Sequence, residues 1–134
     1  MELPPTTQLL LLHLLAFLFG SLPIGYLLGK RQGVDVRAQG SGNTGATNVA
    51  RTVGKTAGLI TLLGDIAKGA AACYLARLVT SGSSTEHFLE LASTLGFFAI
   101  LGHCYSPFLK FRGGKGVATS LGVFLALAAK EAIL

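Results

Sequence analysis

Long runs of apolar residues alternate with short polar loops along the chain, a pattern typical of a protein that crosses a membrane several times. From Leu3 to Gly29 the sequence contains no Asp, Glu, Lys or Arg, and about 20 mostly apolar residues suffice to span a bilayer. We interpret this run as a retained span, because the basic segment that opens a cleaved signal peptide is missing. Pro23 is expected to kink or shorten the helix near its end. The predicted spans cover approximately residues 5–29, 56–79, 88–108 and 117–134.

The composition supports a membrane protein of one domain. Of the 134 residues, 51% are hydrophobic and 13% are charged, whereas about 25% are charged in an average soluble domain. Soluble globular proteins and disordered chains are therefore disfavoured. Residues 1–134 are predicted to form an all-α integral membrane domain, a polytopic transmembrane helix bundle of about four spans. The last span is expected to be short or half inserted, because Lys130 and Glu131 interrupt its apolar run.

Positive charge is concentrated in two glycine-rich loops, at residues 30–55 and 106–116. By the positive-inside rule both loops face the cytoplasm, and the N-terminus lies outside. The eleven Lys and Arg exceed the six Asp and Glu, which gives a net charge of +5. Since the basic residues flank apolar runs, the predicted partner is the lipid bilayer and not a nucleic acid. Eight of the eleven basic residues lie in these loops: Lys30, Arg31, Arg37, Arg51, Lys55, Lys110, Arg112 and Lys115.

The first loop contains the sequence GSGNTG at residues 40–45, which matches the dinucleotide-binding pattern G-x-G-x-x-G. A nucleotide fold is disfavoured, because apolar spans stand where its strand and crossover helix would be. Glycines nevertheless let backbone N–H groups approach an anion, and a helix that begins near Ala46 directs its positive end at the same anion. An ordinary polar connection is the alternative. The candidate anion-binding residues are Ser41, Gly42, Asn43, Thr44, Gly45, Thr47, Asn48 and Arg51.

The second loop places Gly113, Gly114, Lys115 and Gly116 directly before the last apolar run. A lysine among flexible glycines can hold a phosphate as a point charge. The segment is not a nucleotide-binding P-loop, because Gly116 stands where Ser or Thr follows the lysine in that motif. Thr119, in the first turn of the next helix, can cap that helix or reach a ligand. A basic flank that stops transfer of the chain through the membrane is the alternative.

Three ionisable residues lie in or beside the apolar runs. Asp65 and Lys68 are three positions apart and share a helix face, and charges within a span normally face the interior of the bundle. A structural ion pair and a substrate-lining role both remain open for them. His103 ends the third run and can act as a base or only as a hydrogen-bond donor. No metal site and no redox pair is predicted, because Cys73 and Cys104 are isolated.

Two segments resemble motifs of a known family. GSGNTGATNVAR, from Gly40 to Arg51, and GHCYSPFLKFRGGKGVAT, from Gly102 to Thr119, resemble the first two motifs of the PlsY-type bacterial acyl-phosphate:glycerol-3-phosphate acyltransferases. The run LLGDIAKG at residues 62–69 is similar to that family's second span. The resemblance covers essentially all of the chain from Ser21 onward. It implies a multi-pass enzyme of the bacterial inner membrane whose active site faces the cytoplasm.

The resemblance also implies an activity and a set of site residues. A fatty acyl group would pass from acyl phosphate to the 1-hydroxyl of sn-glycerol 3-phosphate, giving 1-acyl-glycerol 3-phosphate and phosphate, the first acylation of bacterial phospholipid synthesis. No cofactor is implied. The expected catalytic residues are Ser41, Arg51, His103 and Lys115. The expected substrate-binding residues are Gly42, Asn43, Gly45, Thr47, Asn48, Lys68, Gly113, Gly114, Gly116 and Thr119.

The family has a third motif near its C-terminus that this sequence does not contain. The chain is therefore expected to be a partial member of the family. Two other functional interpretations remain open from the sequence. One is a membrane module that binds or transports an anion, and the other is an inactive truncated fragment.

Overall fold

Every regular element is a helix within residues 5–129, the part of the chain that the computed structural model describes. Two long helices, α4 (Lys55–Val79) and α5 (Thr85–Cys104), form the centre of the bundle, and the shorter helices surround them. The α-helices are α1 (Thr6–Gly20), α2 (Ile24–Arg31), α3 (Ala46–Thr52), α4 (Lys55–Val79), α5 (Thr85–Cys104) and α6 (Val117–Ala128), with a single 3₁₀ turn at Pro107–Leu109. The predicted all-α bundle is confirmed.

Within residues 5–129, three segments are long and apolar enough to cross a bilayer: Thr6–Arg31, Lys55–Val79 and Thr85–Leu109. They correspond to the first three predicted spans. The first is interrupted at residues 21–23, as expected from Pro23, which has no N–H to continue the helix. The third begins at Thr85 instead of residue 88. Its earlier start has a physical cause, because the preceding hydroxyl, that of Ser84, accepts a hydrogen bond from a backbone N–H of the first turn (3.3 Å).

The fourth apolar run forms a helix that is shorter than the other three segments. α6 has 12 residues, which is about 18 Å at the α-helical rise, against about 30 Å of hydrocarbon in a bilayer. α6 and the fourth predicted span, residues 117–134, begin at the same residue, Val117. That this run crosses the bilayer stays a prediction. The remainder of that prediction, residues 130–134, lies outside the described residues.

Large apolar side chains cover the outside of the bundle, while small residues fill its interior. Leu59 and Phe124 are more than half exposed, whereas Ala76, Ala92 and Ala99 have no exposed surface. Lipid tails are as apolar as leucine, so burying a leucine between two helices gains little in a membrane. Helices in lipid therefore pack closely through small residues at their interfaces. The distribution of residue sizes is therefore that of a bundle surrounded by hydrocarbon.

α4 and α6 contact each other backbone to backbone at two glycines. A Cβ atom on Gly69 of α4 would collide with the carbonyl oxygen of Thr119, and a Cβ atom on Gly122 of α6 would collide with the carbonyl oxygen of Ile66. Each helix thus contributes one glycine to the contact. Any larger side chain at these positions would push the two helices apart.

α1 and α5 form a second contact of the same reciprocal kind. A Cβ atom on Gly20 would collide with the carbonyl oxygen of Ala99, and one on Gly102 would collide with the carbonyl oxygen of Phe17. These contacts lie at the end of α5 that leads into the second glycine-rich loop. The two reciprocal contacts therefore fix the positions from which that loop leaves α5 and enters α6.

We expect Gly69→Leu to separate α4 from α6 and to lower the free energy of unfolding by about 3 kcal/mol, the upper range for overpacking a tight site. Unfolding of the purified protein by titration with SDS measures this loss. Ala71→Leu is the matched control, because Ala71 lies on the exposed face of the same helix. Equal unfolding curves for the two variants would contradict the close backbone contact.

Candidate active site

One open cavity of about 450 Å³ lies where the two glycine-rich loops meet. Its wall includes the first residues of both α3 and α6, so the N-terminal ends of two helices reach it. Its lining combines polar groups with apolar side chains of α4 and α6. The lining residues are Ser41, Asn43, Gly45, Ala46, Thr47, Asn48, Arg51, Leu62, Asp65, His103, Lys115, Gly116, Val117, Ala118 and Leu121.

Nine of the fourteen site residues expected from the sequence line this cavity. They include all four expected catalytic residues, Ser41, Arg51, His103 and Lys115. The first and second loops therefore converge on one site, although about 60 residues separate Ser41 from His103 in the sequence. The five expected residues that do not line the cavity are Gly42, Lys68, Gly113, Gly114 and Thr119.

Asn48 organises the first loop from inside. Its side-chain nitrogen lies within hydrogen-bond distance of the carbonyl oxygens of Val36 (2.9 Å), Gln39 (3.1 Å) and Asn43 (2.9 Å). Its side-chain oxygen accepts a hydrogen bond from the backbone N–H of Ser41 (3.0 Å). Because the residue is buried, one side chain satisfies the polar backbone of a loop that forms no sheet or helix. Asn48 borders the cavity, but its polar atoms are engaged by the protein.

Two local turns bring the first loop to the start of α3. Gly42 has a left-handed backbone with φ of +72°, which a side chain would strain. The side-chain oxygen of Asn43 then accepts a hydrogen bond from the N–H of Gly45 (2.7 Å). α3 begins at the next residue, Ala46, where the sequence predicts a helix start. Gly42 therefore shapes the loop without forming part of the cavity wall.

A second set of side-chain contacts holds the first loop against α2. Arg37 donates hydrogen bonds to the carboxylate of Asp35, with an ion-pair distance of 3.0 Å, and its guanidinium lies 4.5 Å from the ring centre of Tyr26. These hydrogen bonds hold the pKa of Asp35 below its usual value, because they stabilise the ionised carboxylate. The two charged groups pair with each other and lie outside the cavity.

The second loop folds back onto the end of α5. The N–H groups of Gly113 and Gly114 donate to the carbonyl oxygens of Cys104 (2.9 Å) and His103 (3.1 Å), which α5 leaves without intrahelical partners. A Cβ atom on Gly113 would collide with the carbonyl oxygen of His103. These two glycines therefore allow the close approach that delivers Lys115 to the cavity.

Lys68 and Thr119 lie behind the cavity. The ammonium group of Lys68 contacts Asp65 Oδ1 at 2.9 Å and donates to the carbonyl oxygen of Leu22 at 3.0 Å, and only 3% of the residue is exposed. Of the two roles that the sequence leaves open for Lys68, this geometry favours the structural ion pair. Thr119 is fully buried, and its hydroxyl caps nothing and has no partner in the described residues.

Asp65, for which the sequence left a substrate-lining role open without including it among the expected site residues, lines the cavity. Its three-residue spacing from Lys68 indicated a shared helix face, but that spacing could not show that His103 of α5 lies beside it. The apolar wall, formed by Leu62, Ala118 and Leu121 among others, was also missed, because nothing in an apolar run distinguishes a cavity-lining leucine from a lipid-facing one.

The cations of the cavity are free to bind a ligand. Among residues 5–129, the ion pairs are Arg37 with Asp35 and the contacts of Asp65 with Lys68 and His103. Arg51 and Lys115 have no carboxylate partner in that part of the chain. A guanidinium fork, an ammonium group and the N–H groups at the start of α6 therefore share one cavity, and all three favour an anion.

We expect Asn48→Asp to loosen the first loop by about 2 kcal/mol, because it turns a donor that faces three carbonyl oxygens into an acceptor. Hydrogen exchange of the amides of residues 36–45 should become about 30-fold faster in this variant. Asn43→Asp is the control, since a carboxylate keeps the acceptor that the N–H of Gly45 uses. Similar exchange rates in the two variants would contradict the organising role of Asn48.

Comparisons with known proteins identify the family of this chain. Residues 10–134 match the family model described as glycerol-3-phosphate acyltransferase. The glycerol-3-phosphate acyltransferase of Trichlorobacter lovleyi is 52% identical over 113 residues, covering 84% of this chain and 55% of the relative. That of Geobacter sulfurreducens is 50% identical over 116 residues, covering 87% of this chain and 57% of the relative. The chain spans about half the length of the curated relatives it matches.

Solved structures show the same fold. The crystal structure of PlsY, described as an integral membrane glycerol 3-phosphate acyltransferase, superimposes in its glycerol 3-phosphate form with a TM-score of 0.80 and 39% identity, covering 94% of this chain and 60% of that one. The lysophosphatidic acid form gives a TM-score of 0.77 and 38% identity over the same shares. This chain is an all-α integral membrane protein, and it belongs to the glycerol-3-phosphate acyltransferase family.

Proposed function

We propose that this chain takes part in transferring a fatty acyl group from acyl phosphate to the 1-hydroxyl of sn-glycerol 3-phosphate, with release of phosphate. The convergence of Arg51 and Lys115, one from each glycine-rich loop, on a single cavity carries the proposal. This reaction brings two phosphate groups together, one on each substrate, so it needs two sources of positive charge. The names of the relatives, and the glycerol 3-phosphate and lysophosphatidic acid forms of the PlsY crystal structure, support the same reaction.

The residues that line the cavity suit the two parts of the substrates. Arg51 can bind a phosphate with two parallel hydrogen bonds, and Lys115 adds a point charge. Leu62 and Leu121 also line the cavity, and each is partly exposed. An acyl chain can contact these apolar side chains while its phosphate contacts the cationic ones.

The proposed chemistry needs no covalent intermediate on the protein. The 1-hydroxyl oxygen attacks the acyl carbonyl carbon, the bond from that carbon to the phosphate oxygen breaks, and the departing phosphate takes the hydroxyl proton. A phosphate with a second pKa near 6, as in phosphorylated side chains, can accept that proton. Ser41 and the N–H groups of the cavity then act as preorganised donors to the charge that develops on oxygen.

A module that only binds or transports an anion is the second candidate, and an enzyme assay separates the two. Acyl phosphate and glycerol 3-phosphate are supplied to the purified chain, and also to an extended chain that adds the C-terminal part of the Geobacter sulfurreducens relative. The proposal predicts that lysophosphatidic acid forms. Phosphate binding without consumption of acyl phosphate in either protein would favour the anion-binding module.

We expect Arg51→Lys to lower kcat/KM of the active protein by about 100-fold, nearly as much as Arg51→Ala, because a point charge replaces a fork. Lys115→Arg should also be harmful, since a planar head must then fit among glycines. Arg31→Lys is the control, because Arg31 is basic and exposed but lies outside the cavity. Activity near the starting level in both cavity variants would contradict phosphate binding by these side chains.

Ser41 is expected to position a substrate and not to carry the acyl group. Its hydroxyl oxygen accepts a hydrogen bond from the N–H of Asn43 (3.4 Å) and contacts no base in the described residues. Ser41→Ala should therefore lower the rate by about 100- to 1,000-fold and leave measurable activity. Mass spectrometry after mixing with acyl phosphate alone should show no acyl group on the loop peptide. A stoichiometric adduct at Ser41 that chases into product would establish a ping-pong mechanism instead.

We also propose that the chain is a multi-pass protein of the bacterial inner membrane with this cavity on the cytoplasmic side. Single cysteines at Gln39 and Arg112, in a background without Cys73 and Cys104, test this orientation. The positive-inside rule predicts that both are protected from an impermeant maleimide in intact cells and react after lysis. Strong labelling of both in intact cells would reverse the proposed orientation.

A further inference from the structure

Asp65 and His103 meet in the lining of the cavity. Oδ1 of Asp65 lies 3.6 Å from Nδ1 of His103, and both residues are more than nine-tenths buried. The distance is longer than a hydrogen bond, and contacts of this kind often shorten when substrate binds. Since α4 supplies one residue and α5 the other, the contact joins the two central helices directly beneath the two loops.

The imidazole ring of His103 is held in one orientation. Its Nδ1 edge faces Asp65, and a Cβ atom on Gly114 would collide with Nε2 at the opposite edge. The backbone of His103 is held as well, because its carbonyl oxygen accepts a hydrogen bond from the N–H of Gly114. The ring therefore lies between α4 and the second loop. Nε2 has no hydrogen-bond partner in the described residues, and His103 lines the cavity.

The chemistry of a carboxylate decides where a neutral imidazole carries its proton. An ionised carboxylate can only accept hydrogen bonds, so the ring atom that faces it must be the donor. A proton on Nδ1 leaves a lone pair on Nε2, as in other sites where a carboxylate fixes the tautomer of a histidine. Lys68, at 2.9 Å from the same Oδ1, compensates the buried negative charge from the other side.

We propose that Asp65 is a positioning residue, which holds His103 with its proton on Nδ1 and its Nε2 lone pair available to the cavity. This role rests on the proposed function in one respect, the identity of the group that uses the lone pair. In that reaction the 1-hydroxyl of glycerol 3-phosphate donates a hydrogen bond to Nε2, which aligns the hydroxyl oxygen for attack on the acyl carbon. As the bond from the hydroxyl oxygen to the acyl carbon forms, Nε2 takes the hydroxyl proton and then passes it to the departing phosphate, so His103 undergoes no net change.

The tautomer can be measured without any activity. The purified chain is labelled with ¹⁵N-histidine, reconstituted in lipid nanodiscs, and studied by NMR at a pH where the rings are neutral, with His103 assigned from His103→Gln. We expect the proton of His103 to reside on Nδ1. A ring that carries its proton on Nε2 would overturn the proposal, whatever the outcome of the enzyme assay.

The matched variant for this measurement is Asp65→Leu combined with Lys68→Met, because replacing both members of a buried ion pair by apolar residues usually preserves folding. Its His103 should change to the tautomer with the proton on Nε2. His13, whose Nδ1 lies 2.7 Å from the carbonyl oxygen of Leu9, should keep its signals and so report an intact fold. An unchanged His103 tautomer in the double variant would overturn the role of Asp65.

A double-mutant cycle in the active protein tests whether Asp65 acts through His103. Asp65→Asn should lower kcat by about 100-fold, the typical cost of misplacing a reacting group, while KM for glycerol 3-phosphate stays within about threefold. In a His103→Ala background the same change should have no further effect. Glu90→Gln, on the exposed face of α5, is the control. Full additivity of the two losses would show that Asp65 acts independently of His103.

Absence of acyl transfer in every protein would instead overturn the proposed function and leave the tautomer measurement decisive.

Discussion

Contact between helix backbones at glycine is the constraint on which the other features of this structure depend. In hydrocarbon the helices gain little by burying leucine, so close packing must hold them together. Gly69 and Gly122 allow α4 and α6 to touch, and Gly20 and Gly102 do the same for α1 and α5. With these helices in fixed positions, the second loop has one short path from α5 to α6. That path takes Lys115 into the cavity.

The break between α1 and α2 shows how the fold satisfies backbone carbonyl groups within an apolar segment. Ser21 and Leu22 leave carbonyl groups without helical partners, and within a bilayer such groups must be satisfied by the protein. The hydroxyl of Ser106 donates to the carbonyl oxygen of Ser21 (2.7 Å), and Lys68 donates to that of Leu22 (3.0 Å). The charge of Lys68 in turn lies against Asp65. The break in α1–α2 and the buried cluster beneath the cavity therefore stabilise each other.

The sequence predicts the helices well, because their signals are local. These signals are the runs of apolar residues, Pro23 within the first run and the glycines before Val117. Each lies within a few positions of the feature that it determines. The two polar loops could likewise be assigned to one site from their charges and glycines. What could not be predicted is which groups turn inward. From the sequence, the amide of Asn48 and the ammonium group of Lys68 could each bind a ligand or support the fold. Only the positions of their partners, the carbonyl groups of Val36 and Leu22, decide between the two roles.

The geometry favours catalysis by placement. Arg51, Lys115 and Ser41 line the same cavity, and the Ser41 hydroxyl has no hydrogen bond to a base in the described residues. The donor in the proposed reaction is already an anhydride with a good leaving group, which removes the advantage of an acyl-enzyme. Such a reaction needs the hydroxyl, the acyl carbon and the departing phosphate held in order at the border of water and lipid. A cavity lined by cationic side chains and by apolar side chains of α4 and α6, with Asp65 and His103 among its lining residues, suits that order.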